Sequence, residues 1–332
     1  MTEARRALLV STASPYPVVT NGCARLVSDY QRSMFPGHDV WFLLARAGDW
    51  APLELFHQGR PVAVDRHAGG LLAYDFEFVL FVGFKDNDFT RSLASMRPSF
   101  CLTDTFPHPD VPEGLFRGVL SHRRDAGDDP DLFLLGGSYD DTVFHAHRQQ
   151  EDIVLSVGRI HPDKHQLQLV ASYREKVFEP HGLPLHLVGG VDDTDYYRRV
   201  EEHVDGVGVV STVDPQRPLA DSSWRTAQEI AELCNRARLF VSASPKESFG
   251  MALIEAIACG TTCVVNGDYW GFAESDLRPN VFGNITGPHG SVVDLAAQAL
   301  GDDVRVDGSE WAEKYSVRRT RAAVADFVDA RL

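Results

Sequence analysis

Glu247 and Glu255 stand eight positions apart in the run Pro245-Lys246-Glu247-Ser248-Phe249-Gly250-Met251-Ala252-Leu253-Ile254-Glu255-Ala256-Ile257-Ala258-Cys259-Gly260. The second is enclosed by Leu253, Ile254, Ala256 and Ile257. An unpaired carboxylate in such surroundings costs on the order of several kcal/mol, so Glu255 calls for a polar ligand or a fixed donor. Strong helix formers from Met251 to Cys259, set between Gly250 and Gly260, predict one short helix with a glycine stop. Eight residues at the helical rise cover about 12 Å, with Glu247 just ahead of the first turn. Glycosidase carboxyls lie roughly 5 to 9.5 Å apart across one scissile bond, which this spacing does not suit. It suits a long ligand held at two ends. A nucleotide-sugar fits, with ribose hydroxyls at Glu255, sugar hydroxyls at Glu247 and the diphosphate near the amides of the helix start.

A second constellation is Leu155-Ser156-Val157-Gly158-Arg159-Ile160-His161-Pro162-Asp163-Lys164. Residues 154–157 read as a buried strand and Gly158 as a turn. Pro162 and Asp163 then open a helix whose apolar face is Leu167, Val170, Ala171, Val177 and Phe178. Arg159 and Lys164 leave that turn together. One is a planar fork and the other a compact point charge, a pair able to hold a diphosphate. The plain alternative is a solvated pair on an acidic protein.

Taken together these stretches resemble the retaining, GT-B-fold glycosyltransferases of family four, whose signature is a glutamate, seven residues and a second glutamate. Glu247-Ser248-Phe249-Gly250 and Glu255-Ala256-Ile257-Ala258-Cys259-Gly260-Thr261 carry the resemblance, with residues 239–244 as the preceding strand and Leu185-His186-Leu187-Val188-Gly189-Gly190 as a further strand and turn. It is strong over residues 150–300 and holds only in outline before that. The resemblance implies an α/β protein of GT-B type, two Rossmann-like α/β/α domains facing across a cleft, with a C-terminal helix crossing back to the first domain. The expected division is 1–148 for the acceptor side, 149–310 for the donor side and 311–332 for the returning helices. It further implies transfer of a sugar from a nucleoside-diphosphate sugar to a hydroxyl acceptor with retention, without a metal or other cofactor. Arg159 and Lys164 would stabilise the leaving diphosphate, and Glu247 would position the sugar. Gly158, Ser248 and the amides of Phe249, Gly250 and Met251 would line the donor site, with Glu255 on ribose. A nucleotide-sugar epimerase of the same fold and a catalytically silent nucleotide-sugar-binding protein are the alternatives.

The N-terminal half predicts strands over 7–11, 39–45, 78–82 and 100–103 and a helix from about Cys23. Relatives carry two adjacent glycines after the first strand, where this chain has Asn21-Gly22. Asn accepts unusual backbone angles better than most residues, so the loop can still turn its amides to a donor. Many relatives have a histidine directly before Asp104, where this chain has Thr103; Asp104 or His108 stands in the same loop as a substitute. Asp86-Asn87-Asp88 has the look of a metal motif but reads as a solvated loop. His145 with His147, and His161 with His165, have ligand-like spacing without the acid or cysteine set of a zinc site.

Composition narrows the setting. The 332 residues, 44% hydrophobic, suffice for two α/β domains. No run is long enough for a membrane span or signal peptide, and five cysteines without a CxxC pair suit a reducing compartment, so a cytoplasmic protein is expected. A net charge of -15 opposes nucleic acid and anionic membrane partners, and residues 1–150 carry 14 basic against 19 acidic side chains. A dinucleotide dehydrogenase is disfavoured, because Gly189-Gly190 and Gly206-Val207-Gly208 do not extend into G-x-G-x-x-G.

Overall fold

The computed structural model describes residues 5–12, 35, 37–45, 54–63, 68–103, 111–121, 132–134, 137–147, 153–204, 210–213, 225–285 and 290–332. The chain forms two compact units, Met1–Ser138 with Val317–Leu332, and Tyr139–Ser316. The first division falls earlier than the expected 148, because residues after Ser138 already serve the second unit. The Tyr139 amide donates to Tyr315 O, Phe144 is fully buried in the second core, and the His147 amide donates to Asn235 Oδ1. The second falls after Ser316, not before 311. Trp311 packs at a tilt and Tyr315 edge-on against Phe272 of the second unit, and only the following helix belongs to the first.

In the first unit, strands β1 (Arg5–Ser11), β2 (His38–Leu44), β3 (Glu54–His57), β4 (Arg60–Val62), β5 (Phe78–Val82), β6 (Ser99–Thr103), β7 (Gly118–Ser121) and β8 (Leu132–Leu134) form one sheet. Its order is β4-β3-β2-β1-β5-β6-β7-β8, parallel except for the hairpin partners β2–β3 and β3–β4. Ala7, Leu8 and Leu9 on β1 and Phe78, Val79 and Leu80 on β5 are wholly buried, the continuous apolar run expected of strands covered on both faces. The C-terminal helix Val317–Asp329 seals this unit with Val324, Phe327 and Val328. Phe327 lies edge-on to Phe100, and Arg117 donates to the carbonyls of Arg331 and Leu332. Asp86-Asn87-Asp88 is not a loop but a helix start. The Asn87 side chain accepts from the Thr90 amide, the Thr90 hydroxyl accepts from the Asn87 amide, and Asp86 pairs with Arg91.

In the second unit β9 (Val154–Val157), β10 (Leu185–Gly190), β11 (Val210–Val213), β12 (Leu239–Ser242), β14 (Cys263–Asn266) and β16 (Phe282–Asn284) form an all-parallel sheet ordered β11-β10-β9-β12-β14-β16. Between them β13 (Lys246–Glu247) and β15 (Asp268–Tyr269) make a two-stranded parallel ribbon. Counted in chain order, the six strands run three-two-one-four-five-six, the doubly wound pattern whose crevice opens where the winding reverses, at the C-terminal ends of β9 and β12.

After β9 the helix face differs by a few residues from the one expected. Leu169, Val170, Tyr173 and Val177 are buried, while Ala171 is exposed. Spacings of three and four residues place those four on one stripe, and Ala171 falls off it.

Candidate active site

The two loops at the reversal point carry both constellations. After β9 the chain passes Gly158 and Arg159, and a short 3-10 turn, Pro162–Lys164, precedes the helix Gln166–Tyr173. His161 caps that turn, its Nδ1 accepting from the Asp163 amide, and His165 takes the left-handed conformation at φ 53° between turn and helix. Both histidines thus have structural duties. His145 and His147 face each other at 5.6 Å, and His147 reaches Glu232. Among the described residues no group of three or more His, Cys, Asp or Glu is placed to hold a metal ion.

After β12 the chain enters the ribbon, which pins Glu247 opposite Tyr269. The Lys164 ammonium and the Glu247 carboxylate meet at 2.5 Å, with side chains 22% and 20% exposed. A cation from the crossover after β9 and an acid from the crossover after β12, 83 positions apart in the chain, therefore close on each other at the mouth of the sheet. Tyr269 buttresses this corner from beneath. Its hydroxyl donates to Ser242 Oγ at 2.8 Å, and burial, with the nearby Glu247 charge adding to it, pushes that hydroxyl far above the ordinary tyrosine range.

The helix Met251–Ala258 begins and ends on glycines in the left-handed region, Gly250 at φ 82° and Gly260 at φ 72°. A Cβ at Gly250 would also meet the Tyr269 ring at 2.9 Å. The helix starts at Met251, so helical rise does not apply from Glu247 onward. Only the stretch from Met251 to Glu255 advances helically, roughly 6 Å, and Glu247 is set by ribbon pairing instead. Phe249 turns its ring into the core against Phe272 at 4.5 Å. The first amides of any helix lack intrahelical acceptors, and here they begin four positions after Glu247.

Glu255 is 6% exposed, one turn beyond Met251. Its carboxylate lies within electrostatic reach of the buried Cys234 thiol, which is held well above its usual range by hydrogen bonding to Cys259, then by burial, with Glu255 contributing. The acid sequence reasoning assigned to a ligand is thus also tied to the protein's own core.

Arg159 does not stand free beside Lys164. Its Nη1 donates to Asp192, and its Nη2 lies 3.5 Å from Asp163. Gln166 donates to the Arg159 carbonyl at 2.7 Å. Neither Asp192 nor Tyr269 was expected from the motifs; the signal for Asp192 was an acid two positions after the Gly189-Gly190 turn of the neighbouring strand.

The sequence profile of glycosyl transferases group 1 matches residues 140–300, the segment that holds this corner. Residues 140–300 are a group 1 glycosyl transferase domain. No curated protein sequence matches the chain. Solved structures resemble it along nearly its whole length at low identity. Sucrose-phosphate synthase from Thermosynechococcus elongatus has a TM-score of 0.65 at 15% identity, covering 98% of this chain and 99% of that one. A glycosyltransferase involved in avilamycin A biosynthesis has a TM-score of 0.64 at 15% identity, covering 98% and 97%. A pneumococcal O-GlcNAc transferase, solved in complex with UDP and GlcNAc, has a TM-score of 0.60 at 12% identity, covering 88% and 69%. At such identities the likeness establishes the fold, the GT-B glycosyltransferase fold.

In the glycosyl transferase domain Gly158, Arg159, Lys164, Glu247, Ser248, Phe249, Gly250, Met251 and Glu255 all fall on the two loops at the winding reversal or on the helix that follows. Thr103 ends β6 and is buried. Asn21, Gly22, Asp104 and His108 lie outside the described residues. No described helix is long and apolar enough to cross a membrane.

Proposed function

We propose that this chain is a retaining glycosyltransferase that takes a sugar from a UDP- or GDP-type nucleoside-diphosphate sugar and delivers it to a hydroxyl acceptor, without a metal ion. The observation that carries the reading is the Lys164–Glu247 pair at the winding reversal of a group 1 domain. A diphosphate takes Lys164 as a counter-ion, and the released Glu247 carboxylate turns to the sugar hydroxyls. Arg159 adds a planar fork from the same turn, and the amides of Phe249, Gly250 and Met251 add dipoles at the helix start. The sugar C1–O bond then breaks, its electron pair leaving with the diphosphate. The acceptor oxygen attacks C1 from the same face, and its proton passes to the departing phosphate oxygen. In this scheme the fixed positive groups meet charge as it develops. The pneumococcal relative solved with UDP and GlcNAc supports the donor class. The acidic composition favours a cytoplasmic transferase with no nucleic-acid partner and no stable hold on a membrane.

The test is a thermal-shift screen of nucleoside diphosphates and nucleotide-sugars, followed by NMR of the product made from the donor that stabilises the protein. A glycoside with the donor's anomeric configuration is expected. An inverted product overturns the mechanism, an epimerised nucleotide-sugar without transfer makes the chain an epimerase, and binding without turnover makes it a silent binder.

Turnover is expected to persist in excess EDTA. Loss of activity on chelation, with recovery on adding manganese or magnesium, overturns the assignment of charge balance to Arg159 and Lys164.

Gly158 supplies a cleaner probe of position. A Cβ there has nothing within 4 Å, so packing does not require glycine at that point. Gly158→Val is therefore expected to melt like wild type while weakening binding of the selected nucleoside diphosphate at least roughly tenfold, through lost close approach of the backbone. Calorimetry showing undiminished affinity would move the diphosphate away from this turn. Glu255→Gln is expected to weaken the free nucleoside diphosphate and the nucleotide-sugar alike, by about 1.5 to 3 kcal/mol for a charge-assisted hydrogen bond.

A further inference from the structure

Asp192 follows the Gly189-Gly190 end of β10 and pairs with Nη1 of Arg159. Backbone bonds fix both members. Ile160, next to Arg159, donates its amide to Gly190 O at 2.8 Å and accepts from the amides of Asp192 and Asp193, both at 3.2 Å. Gln166 holds the Arg159 carbonyl from the other side. The adjacent acids divide their work. Asp193 caps the helix Thr194–Glu201, accepting the Tyr196 amide at 2.8 Å, whereas the Asp192 carboxylate turns to the guanidinium. The pair is 42% and 53% exposed, so an incoming anion can reach it.

We propose that Asp192 is a resident counter-anion of Arg159 that the donor diphosphate must displace, and that it thereby limits how tightly the diphosphate product is retained. The inference rests on the nucleotide-sugar reading above. A guanidinium fork offers two parallel N–H donors on one edge, and one of its terminal nitrogens is committed to Asp192. Each terminal nitrogen carries two N–H groups, and a phosphate oxygen takes the one aimed at Asp192 only as the carboxylate leaves. Asp192 also faces the diphosphate as a like charge, which opposes binding and favours release. The second acid on Arg159, Asp163, is a weaker competitor, at 3.5 Å and with its side chain 68% exposed.

The experiment is calorimetric titration of UDP, GDP and ADP into wild type, Asp192→Asn, Asp163→Asn, Arg159→Ala and the Arg159→Ala/Asp192→Asn double variant. Asn keeps the shape and removes the charge, and the helix cap at Asp193 is untouched. Asp192→Asn is expected to bind its preferred diphosphate roughly three- to tenfold more tightly, an effect between a screened surface pair and a close like charge. Asp163→Asn should gain less. In the Arg159→Ala background the Asp192→Asn gain should vanish. Unchanged or weaker binding by Asp192→Asn overturns the proposal, as does a gain that persists undiminished without Arg159. If wild type binds none of the three nucleotides, the nucleotide-sugar reading itself falls; if it binds and the Asp192 variant does not gain, only this inference does.

Discussion

Lys164→Ala is expected to cut turnover roughly 10²- to 10³-fold, the loss typical of one fixed donor to developing negative charge. The diphosphate also loses a counter-ion, so affinity for the nucleoside diphosphate should fall with it. Glu247→Gln behaves differently. Turnover should fall by a similar factor, because sugar orientation matters most as the glycosidic bond breaks. Affinity for the free diphosphate should hold or rise, since Lys164 loses its competing partner at 2.5 Å. Steady-state kinetics and calorimetry on both variants separate these outcomes. Melting curves must accompany them, because removing one member of a half-buried pair leaves the other uncompensated. If both variants fold, bind and turn over as wild type does, the pair is not the centre of the site.

Gly189→Ala should strongly destabilise the second unit. A Cβ at Gly189 would sit 1.8 Å from the Gly158 carbonyl oxygen and 2.6 Å from its carbonyl carbon, both backbone atoms that cannot swing aside. Separating β9 from β10 there costs about 3 kcal/mol or more, at the upper end of overpacking effects. For a unit of this size that is a fall in Tm of roughly 6 to 12 °C. An unaltered Tm would show the two strands to be further apart than described. The contrast with Gly158→Val, expected to melt normally, makes the two adjacent glycines a matched pair: one bare because strands meet, the other bare over open space.

What could be read from the sequence follows from range. The strands Val154–Val157, Leu185–Gly190 and Phe78–Val82 and the helix after Gly250 emerge from local patterns, apolar runs closed by glycine, and their bounds agree with the structure to within a residue. The hairpin of β3 and β4 did not, because Glu54–His57 mixes acid, apolar and histidine residues and Arg60–Val62 contains a proline, so neither shows a strand period. The ribbon of β13 and β15 is invisible for another reason: two residues per strand carry no period, and their pairing depends on Gly267 allowing Ser244 O to approach. Motif spacing exposed Arg159, Lys164, Glu247 and Glu255. It could not reveal that Lys164 and Glu247 pair with each other, or that Asp192 occupies Arg159, since those contacts join separate crossovers of the sheet. Glu255 was rightly read as a buried acid, but its neighbour Cys234 comes from another helix.

The return of Val317–Leu332 to the first unit makes the second an insertion within it, which sets an order of events during synthesis. Tyr139–Ser316 has all its strands once Ser316 has left the ribosome, and it can close around its own core at that moment. The first unit, although translated earlier, must wait for Phe327 to reach Gly118 and Phe100 before its last seam is shut. Until then it exposes apolar surface that chaperones recognise, so the half of the chain made first is the half completed last.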